Sequence, residues 1–248
     1  MLALVSVRSG NKQTLAKPIT ADLINQEIDS RFHGAAAASF VLEALRSATS
    51  ELHRRTERAL DLRRASSSLR EYCALIDRLL GFYEPLEARL FGYRNHALSR
   101  KIDLETRRKV PALYADLATL NPALFRASEV CPYIPALDSE ASAIGAWYVV
   151  EGATLGGRII GDHLSRRLGI SADSGARFFN CYGDLRERNW NEFCGVLASL
   201  QRTEAREVVA GAVAVFDAMF RWLDERPEAA TRGCGIVQLS DQLRIPNG

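Results

Sequence analysis

The sequence predicts an all-α fold, a single multihelical bundle. Apolar residues recur at three- and four-residue steps through most of the chain, the period of a helix with one buried face. No two alternating apolar segments flank a tight turn, so no hairpin is expected, and no internal repeat marks a solenoid. The 248 residues suffice for one large domain or two small ones, and the 47% hydrophobic and 25% charged fractions are those of an ordinary globular chain.

Residues 1–36 mix polar, charged and small side chains with weak periodicity, and they read as a poorly ordered or appended lead. The helical domain is expected over 37–225. Its first helix starts near Ala37, with Ala44, Leu45, Ala48, Leu52, Ala59 and Leu60 on one face. A second runs from about Leu69 with Tyr72, Leu75, Ile76, Leu79, Leu80 and Phe82 inward. Pro85 either kinks it or begins a new helix that continues to about Phe91. One or two shorter helices are expected around Pro111, between Asp103 and Leu120, before the turn signal Asn121-Pro122. Cys131 to Pro135 is a loop. Asp138 or Ser139 caps a glycine-rich helix that runs to about Leu168 and stops at Gly169. Further helices span about Asn189 to Leu200 and about Thr203 to Asp224, the last burying Val208, Ala212, Val215, Phe216 and Met219. Residues 226–248 are small and polar and read as a loose tail.

Net charge is +2, so the composition carries no nucleic-acid footprint. No apolar run approaches membrane-spanning length. The five cysteines are scattered without metal-ligand spacing, which fits a reducing compartment, and a cytoplasmic chain is expected.

The most informative run is Tyr148 to Ile160. This helix carries Gly145, Gly152, Gly156, Gly157 and Gly161, each costing about 1 kcal/mol against alanine in a helix interior. Gly145, Gly152 and Gly156 fall on one helical face. Such a face serves either close packing against another helix or the approach of a flat, bulky ligand to the backbone. Spacing alone leaves both open. The run is not a phosphate loop, because it lacks the strand-to-helix turn and the lysine-serine or lysine-threonine pair.

Of the four histidines, His53 lies beside the apolar stripe of the first strong helix, with Glu57 four residues on and on the same face. A carboxylate there can take the Nδ1 proton and leave Nε2 for a metal. A solvent-edge His–Glu pair has the same spacing. One histidine on an early helix and a bare backbone face on a later one together suggest a heme held between two helices.

At these residues the chain resembles the heme oxygenase family. Leu45 to His53 with Thr56-Glu57 resembles the family's proximal-helix motif, and Tyr148 to Ile160 its distal helix. Phe178-Phe179-Asn180-Cys181-Tyr182-Gly183, followed by Trp190 and Phe193, resembles the bacterial subgroup that accompanies bacteriophytochromes. The resemblance covers roughly Ala37 to Leu223 and implies a bundle of the heme oxygenase-like type. It places the iron ligand on His53, its partner on Glu57, and porphyrin-facing backbone at Gly152 and Gly156. Arg46 and Tyr148 fall at positions that meet heme propionates, Thr49 joins them at the heme, and Tyr182, Arg177 and Phe216 are weaker candidates for the same edge or the pocket wall. Many members carry an aspartate just after the first distal glycine. Here that position is Ala153, which leaves Thr154, Arg158 or backbone carbonyls to anchor any distal water.

The resemblance implies oxidative cleavage of heme to biliverdin with release of carbon monoxide and ferrous iron, heme being both substrate and cofactor. No flavin or nicotinamide motif is present, so a ferredoxin or a reductase must supply electrons, docking where Arg46, Arg54 and Arg55 could meet it. A bacteriophytochrome is the implied bilin acceptor. A heme-binding storage, transport or sensor protein without turnover would share every ligand. Inward Glu-x-x-His pairs for a di-iron centre are absent, and no cysteine has an activating base beside it in the sequence.

Overall fold

The computed structural model describes residues 40–97, 99–122, 127 and 129–225. The expected lead at 1–36 and tail at 226–248 lie outside the described residues, as does the expected helix start at Ala37. Among the described residues there is no strand, and the chain forms seven α-helices with three short 3-10 turns. They are α1 (Phe40–Leu60), α2 (Leu62–Ala65), α3 (Leu69–Phe91), α4 (Val110–Leu120), α5 (Glu140–Leu168), α6 (Arg186–Ala198) and α7 (Ala205–Asp224).

Local chemistry sets the boundaries. The Ser68 hydroxyl accepts from Glu71 N–H and starts α3. Pro85 does not end that helix, which continues unbroken through it to Phe91. Pro111 sits in the first turn of α4, where the N–H it lacks would be unpaired. The buried Glu87 carboxylate accepts from Lys109 N–H and Val110 N–H at the same helix start. Ser139, not Asp138, caps α5, in a reciprocal box with Ser142. Gly169 closes α5 in the left-handed conformation, with its N–H donating to the Ser165 carbonyl.

Helix α7 is the centre of the bundle and packs against both α5 and α1. Its N-terminal half crosses α5 at close range. A Cβ on Gly145 would come within 1.8 Å of the Val208 carbonyl oxygen, and one on Gly211 within 2.1 Å of the Ser142 carbonyl oxygen. Further along, α7 follows α1: the Phe216 ring meets His53 and the Phe220 ring lies 3.9 Å beneath the Arg55 guanidinium.

A buried ion cluster fixes α5 from another side. Arg107, Lys109 and Glu151 are each 1% exposed. Arg107 donates to Glu151 Oε2 at 2.6 Å and to the Asn189 carbonyl at 3.0 Å. Lys109 Nζ donates to Glu151 Oε1 at 3.2 Å and to the Tyr182 hydroxyl, which itself donates to Glu151 Oε1 at 2.7 Å. Beside it, the Asp116 carboxylate accepts from Arg177 N–H (2.7 Å) and Phe178 N–H (2.8 Å). That holds the loop before α6 in place, and a Cβ on Gly157 would strike the Phe179 carbonyl at 2.5 Å. No described helix is long and apolar enough to cross a membrane.

Candidate heme slot

Arg46, Thr49, His53, Thr56 and Glu57 share one sector of α1, about 100° wide at about 100° per residue. Tyr148, Gly152, Gly156, Ile159 and His163 share a similar sector of α5. The two helices run in the same direction, as two contacts show. The Tyr148 phenol lies close enough to the Thr49 hydroxyl for the latter to lower its pKa. Past the end of α1, the Ser66 hydroxyl lies 3.1 Å from His163 Nε2. The fifteen residue steps from Tyr148 to His163 span about 22 Å at about 1.5 Å each. Between the two contacts, α1 and α5 have little backbone approach of their own. His53 stands one turn beyond Thr49, and Gly152 one turn beyond Tyr148.

The glycines divide by neighbour. Gly145, for which spacing leaves helix packing and ligand approach both open, is the crossing point with α7, because its missing Cβ admits the Val208 carbonyl. Gly157 and Gly161 admit the loop at Phe179 and Asn180. Gly152 is different: a Cβ there would meet nothing within 4 Å. It is half-buried, and Ala153 beside it is exposed. Gly156, buried, lies one turn further along the same sector.

His53 has a 37% exposed side chain, and its surroundings are protein enough that burial lowers its pKa from the usual 6.5. Burial thus disfavours the imidazolium and favours the neutral form, the one that ligates metal. Its Nδ1 stands 3.8 Å from Glu57 Oε1, longer than a hydrogen bond, and its ring meets the edge of Phe216 at 5.6 Å and 87°. No hydrogen bond among the described residues engages Nε2. A neutral imidazole, a free ring nitrogen and an open backbone face fit a planar tetrapyrrole with an axial ligand.

The edge near Tyr148 is polar. Tyr148 packs at 6.1 Å from Trp190, and burial raises its phenol pKa, opposed by Thr49 and by the Arg46 cation. The structure thus brings together Arg46, Thr49 and Tyr148, and separately His53, Glu57 and Phe216. It does not bring Tyr182 to either group. Tyr182 lies in the buried ion cluster, about 100° around α5 from Gly152, where its hydroxyl is taken by Glu151 and Lys109. Burial first, then the Glu151 charge, push its pKa far up. Arg177 is engaged at the loop through its backbone, with its side chain exposed. Thr154 points away from the slot and donates to the Glu151 carbonyl at 2.6 Å. Arg46, Arg54 and Arg55 do not form one surface: Arg54 pairs with Glu51 at 2.6 Å, and Arg55 covers Phe220. Ser66 carries no sequence signal, since no short-range spacing links it to His163.

A family model described as heme oxygenase matches residues 39–225. The chain belongs to the heme oxygenase family. The chain is 38% identical over 112 residues to a heme oxygenase of Xanthomonas campestris pv. campestris (strain 8004). That match takes in 44% of this chain and 64% of the relative, so it spans less than two thirds of the relative's length. Two solved heme oxygenases share the fold. The one from Leptospira interrogans gives a TM-score of 0.60 at 19% identity, covering 75% of this chain and 99% of its own. The one from Neisseria meningitidis, solved with NO and CO bound, gives 0.61 at 22% identity, covering 78% and 96%. At those identities the likeness concerns the heme oxygenase fold alone.

Proposed function

We propose that this chain is a heme oxygenase that opens heme to biliverdin, releasing carbon monoxide and ferrous iron. The observation that carries the reading is the slot: His53 on α1 and the open Gly152 face on α5, each one turn past the Thr49–Tyr148 contact. Heme bound there supplies its own iron to activate oxygen and its own meso carbon as the position attacked, so it is substrate and cofactor at once.

The chain's residues do the rest. His53 presents a neutral Nε2, since burial disfavours the imidazolium. Glu57 stands close enough that a side-chain rotation brings its carboxylate to Nδ1 and fixes the tautomer. Phe216 holds the ring plane by its edge contact. Gly152 and Gly156 leave the distal wall as bare backbone, admitting a small ligand beside the porphyrin. Arg46 and Tyr148 offer a cation and a hydroxyl to the carboxylate-bearing edge, with Thr49 beside them donating its own hydroxyl to the Leu45 carbonyl. With Ala153 apolar and Thr154 turned away, hydrogen bonding on the distal side falls to backbone groups and ordered water.

Electrons come from outside, from a ferredoxin or a reductase, because no segment of the chain has the pattern of a flavin or nicotinamide site. The resemblance of Phe178 to Gly183 to the bacteriophytochrome-associated subgroup supports a phytochrome as bilin acceptor.

The test is to add hemin to the purified chain, supply a reductase system in air, and chromatograph the pigment. Biliverdin with an equivalent of carbon monoxide is expected. A stable heme complex that yields neither would instead make the chain a heme-binding protein without turnover.

A further inference from the structure

Two arginines among the described residues are buried, and their surroundings differ. Arg107 meets Glu151 at 2.6 Å and Glu192 at 2.9 Å. Arg186, the first residue of α6, is 8% exposed and meets no described carboxylate within 4 Å. Its Nη2 donates at 3.3 Å to the Cys181 carbonyl, so the guanidinium folds back over the turn that leads into α6. Its Nε is buried without a partner. The acids nearest in sequence, Asp184 and Glu187, are exposed and do not pair with it. Arg158 of α5 repels the guanidinium, and Asp162, one turn on and beyond ion-pair distance, attracts it; both are exposed. Helix α6 also opens without a side-chain cap, since Leu185 offers none, so the positive end of the helix lies at the same turn.

We infer that Arg186, Arg158 and the start of α6 hold a phosphate-class oxyanion. An unpaired buried cation is costly, and a neutral carbonyl at 3.3 Å does not replace a counter-charge. An oxyanion there supplies the charge and accepts from the idle Nε. It also sits at a helix N-terminus, where backbone N–H groups and the helix dipole favour it. Arg158 lies about 120° around α5 from Gly152, so the site stands apart from the slot and does not depend on the heme reading. Its role follows from what the turn touches. The Phe179 carbonyl and the Asn180 side chain fill the space that Gly157 and Gly161 leave open on α5. Trp190, one turn past Arg186, packs on Tyr148. A bound oxyanion ties the Phe179–Cys181 stretch to α6 and braces α5 from outside the slot.

Thermal unfolding of the full chain in phosphate and in chloride at equal ionic strength tests this, because equal screening leaves only specific binding to differ. Phosphate should raise the melting temperature and reach saturation. Arg186→Met should remove that response. In chloride it should melt no lower than the unmodified chain, since an apolar side chain of similar reach replaces an uncompensated charge. Arg158→Ala, at an exposed position, should keep the fold and weaken phosphate binding about two- to fivefold, which covers the case in which Arg186→Met does not fold. Asp162→Asn should tighten phosphate binding by removing a carboxylate that repels it. Adenosine monophosphate distinguishes the sources: a shift no larger than that with phosphate assigns the free ion, a larger one assigns a nucleotide, and both uphold the site. No saturable rise with phosphate, or a rise undiminished in both arginine variants, overturns the inference. An Asp162→Asn chain that melts lower in chloride and ignores phosphate also overturns it, because Asp162 is then the counter-ion. Loading with hemin should leave the phosphate response in place; its loss would give Arg186 to the tetrapyrrole and overturn the inference as well.

Discussion

Tyr148 on α5 reaches Thr49 on α1, and each stands one helical turn ahead of the group that defines the slot: Gly152 and His53. Because the helices run in the same direction, this proximity places the His53 side chain opposite the open backbone at Gly152.

Gly145 and Gly152 should respond in opposite ways to the same change. Gly145→Ala forces a methyl to within 1.8 Å of the Val208 carbonyl, and overpacking of this kind costs about 1–3 kcal/mol or more. Gly152→Ala meets nothing within 4 Å and should stabilise the heme-free chain by about 0.5–1 kcal/mol through helix propensity. Thermal unfolding of both heme-free variants checks the signs. Gly152→Leu should fold normally yet bind hemin weakly.

The imidazole of His53 should titrate below 6.5 in the heme-free protein, because burial disfavours its charged form. The folded pKa is depressed relative to the unfolded chain. His53 therefore contributes stability that is fully present above about 6.5 and is lost as pH falls through the folded value. NMR titration of the His53 ring protons tests this, and a His53→Leu variant should lose that segment of the stability–pH curve.

Glu151→Gln should be among the most damaging substitutions away from the slot. It removes the buried counter-charge of Arg107 and Lys109, a loss of about 3–5 kcal/mol. Tyr182→Phe removes one hydroxyl from the same cluster and should cost about 1–3 kcal/mol. Since Tyr182 lies around the helix from Gly152, hemin affinity of the folded Tyr182→Phe variant should stay within about twofold, as measured by absorption titration.

Arg46→Ala and Tyr148→Phe should weaken hemin binding while leaving the axial ligand in place. Each removes a group beside the proposed carboxylate edge, at about 1.5–3 kcal/mol for the charged partner and less for the hydroxyl. Absorption titration measures the affinity, and an unchanged ligand signature in the spectrum separates this loss from a loss of His53.

Most of the fold could be read from periodicity, since α1, α3, α5 and α7 each bury a stripe at helical spacing. Short-range patterns also marked Ser139, Gly169 and the His53–Glu57 pair. What they could not show was which helix passes which face. Gly145 and Gly152 are nearly equivalent on a helical wheel, and only tertiary packing makes one a crossing point with α7 and leaves the other with nothing within 4 Å of its missing Cβ. Arg107 and Lys109 are both buried because Glu151, more than forty residues on, meets them, a pairing that no short-range pattern carries. Tyr182 was drawn toward the heme edge by resemblance, whereas its hydroxyl belongs to that ion cluster. Ser66 carried no signal at all, because its partner His163 lies ninety-seven residues away.

The most direct test of the account is imidazole rescue at the proposed ligand. In the ferrous hemin complex of His53→Gly, the iron–histidine vibration should vanish from the resonance Raman spectrum and return, at a shifted frequency, when free imidazole fills the vacated space beside Phe216. If the His53→Gly complex keeps the unmodified vibration without added imidazole, another residue holds the iron and the slot between α1 and α5 is not where heme binds.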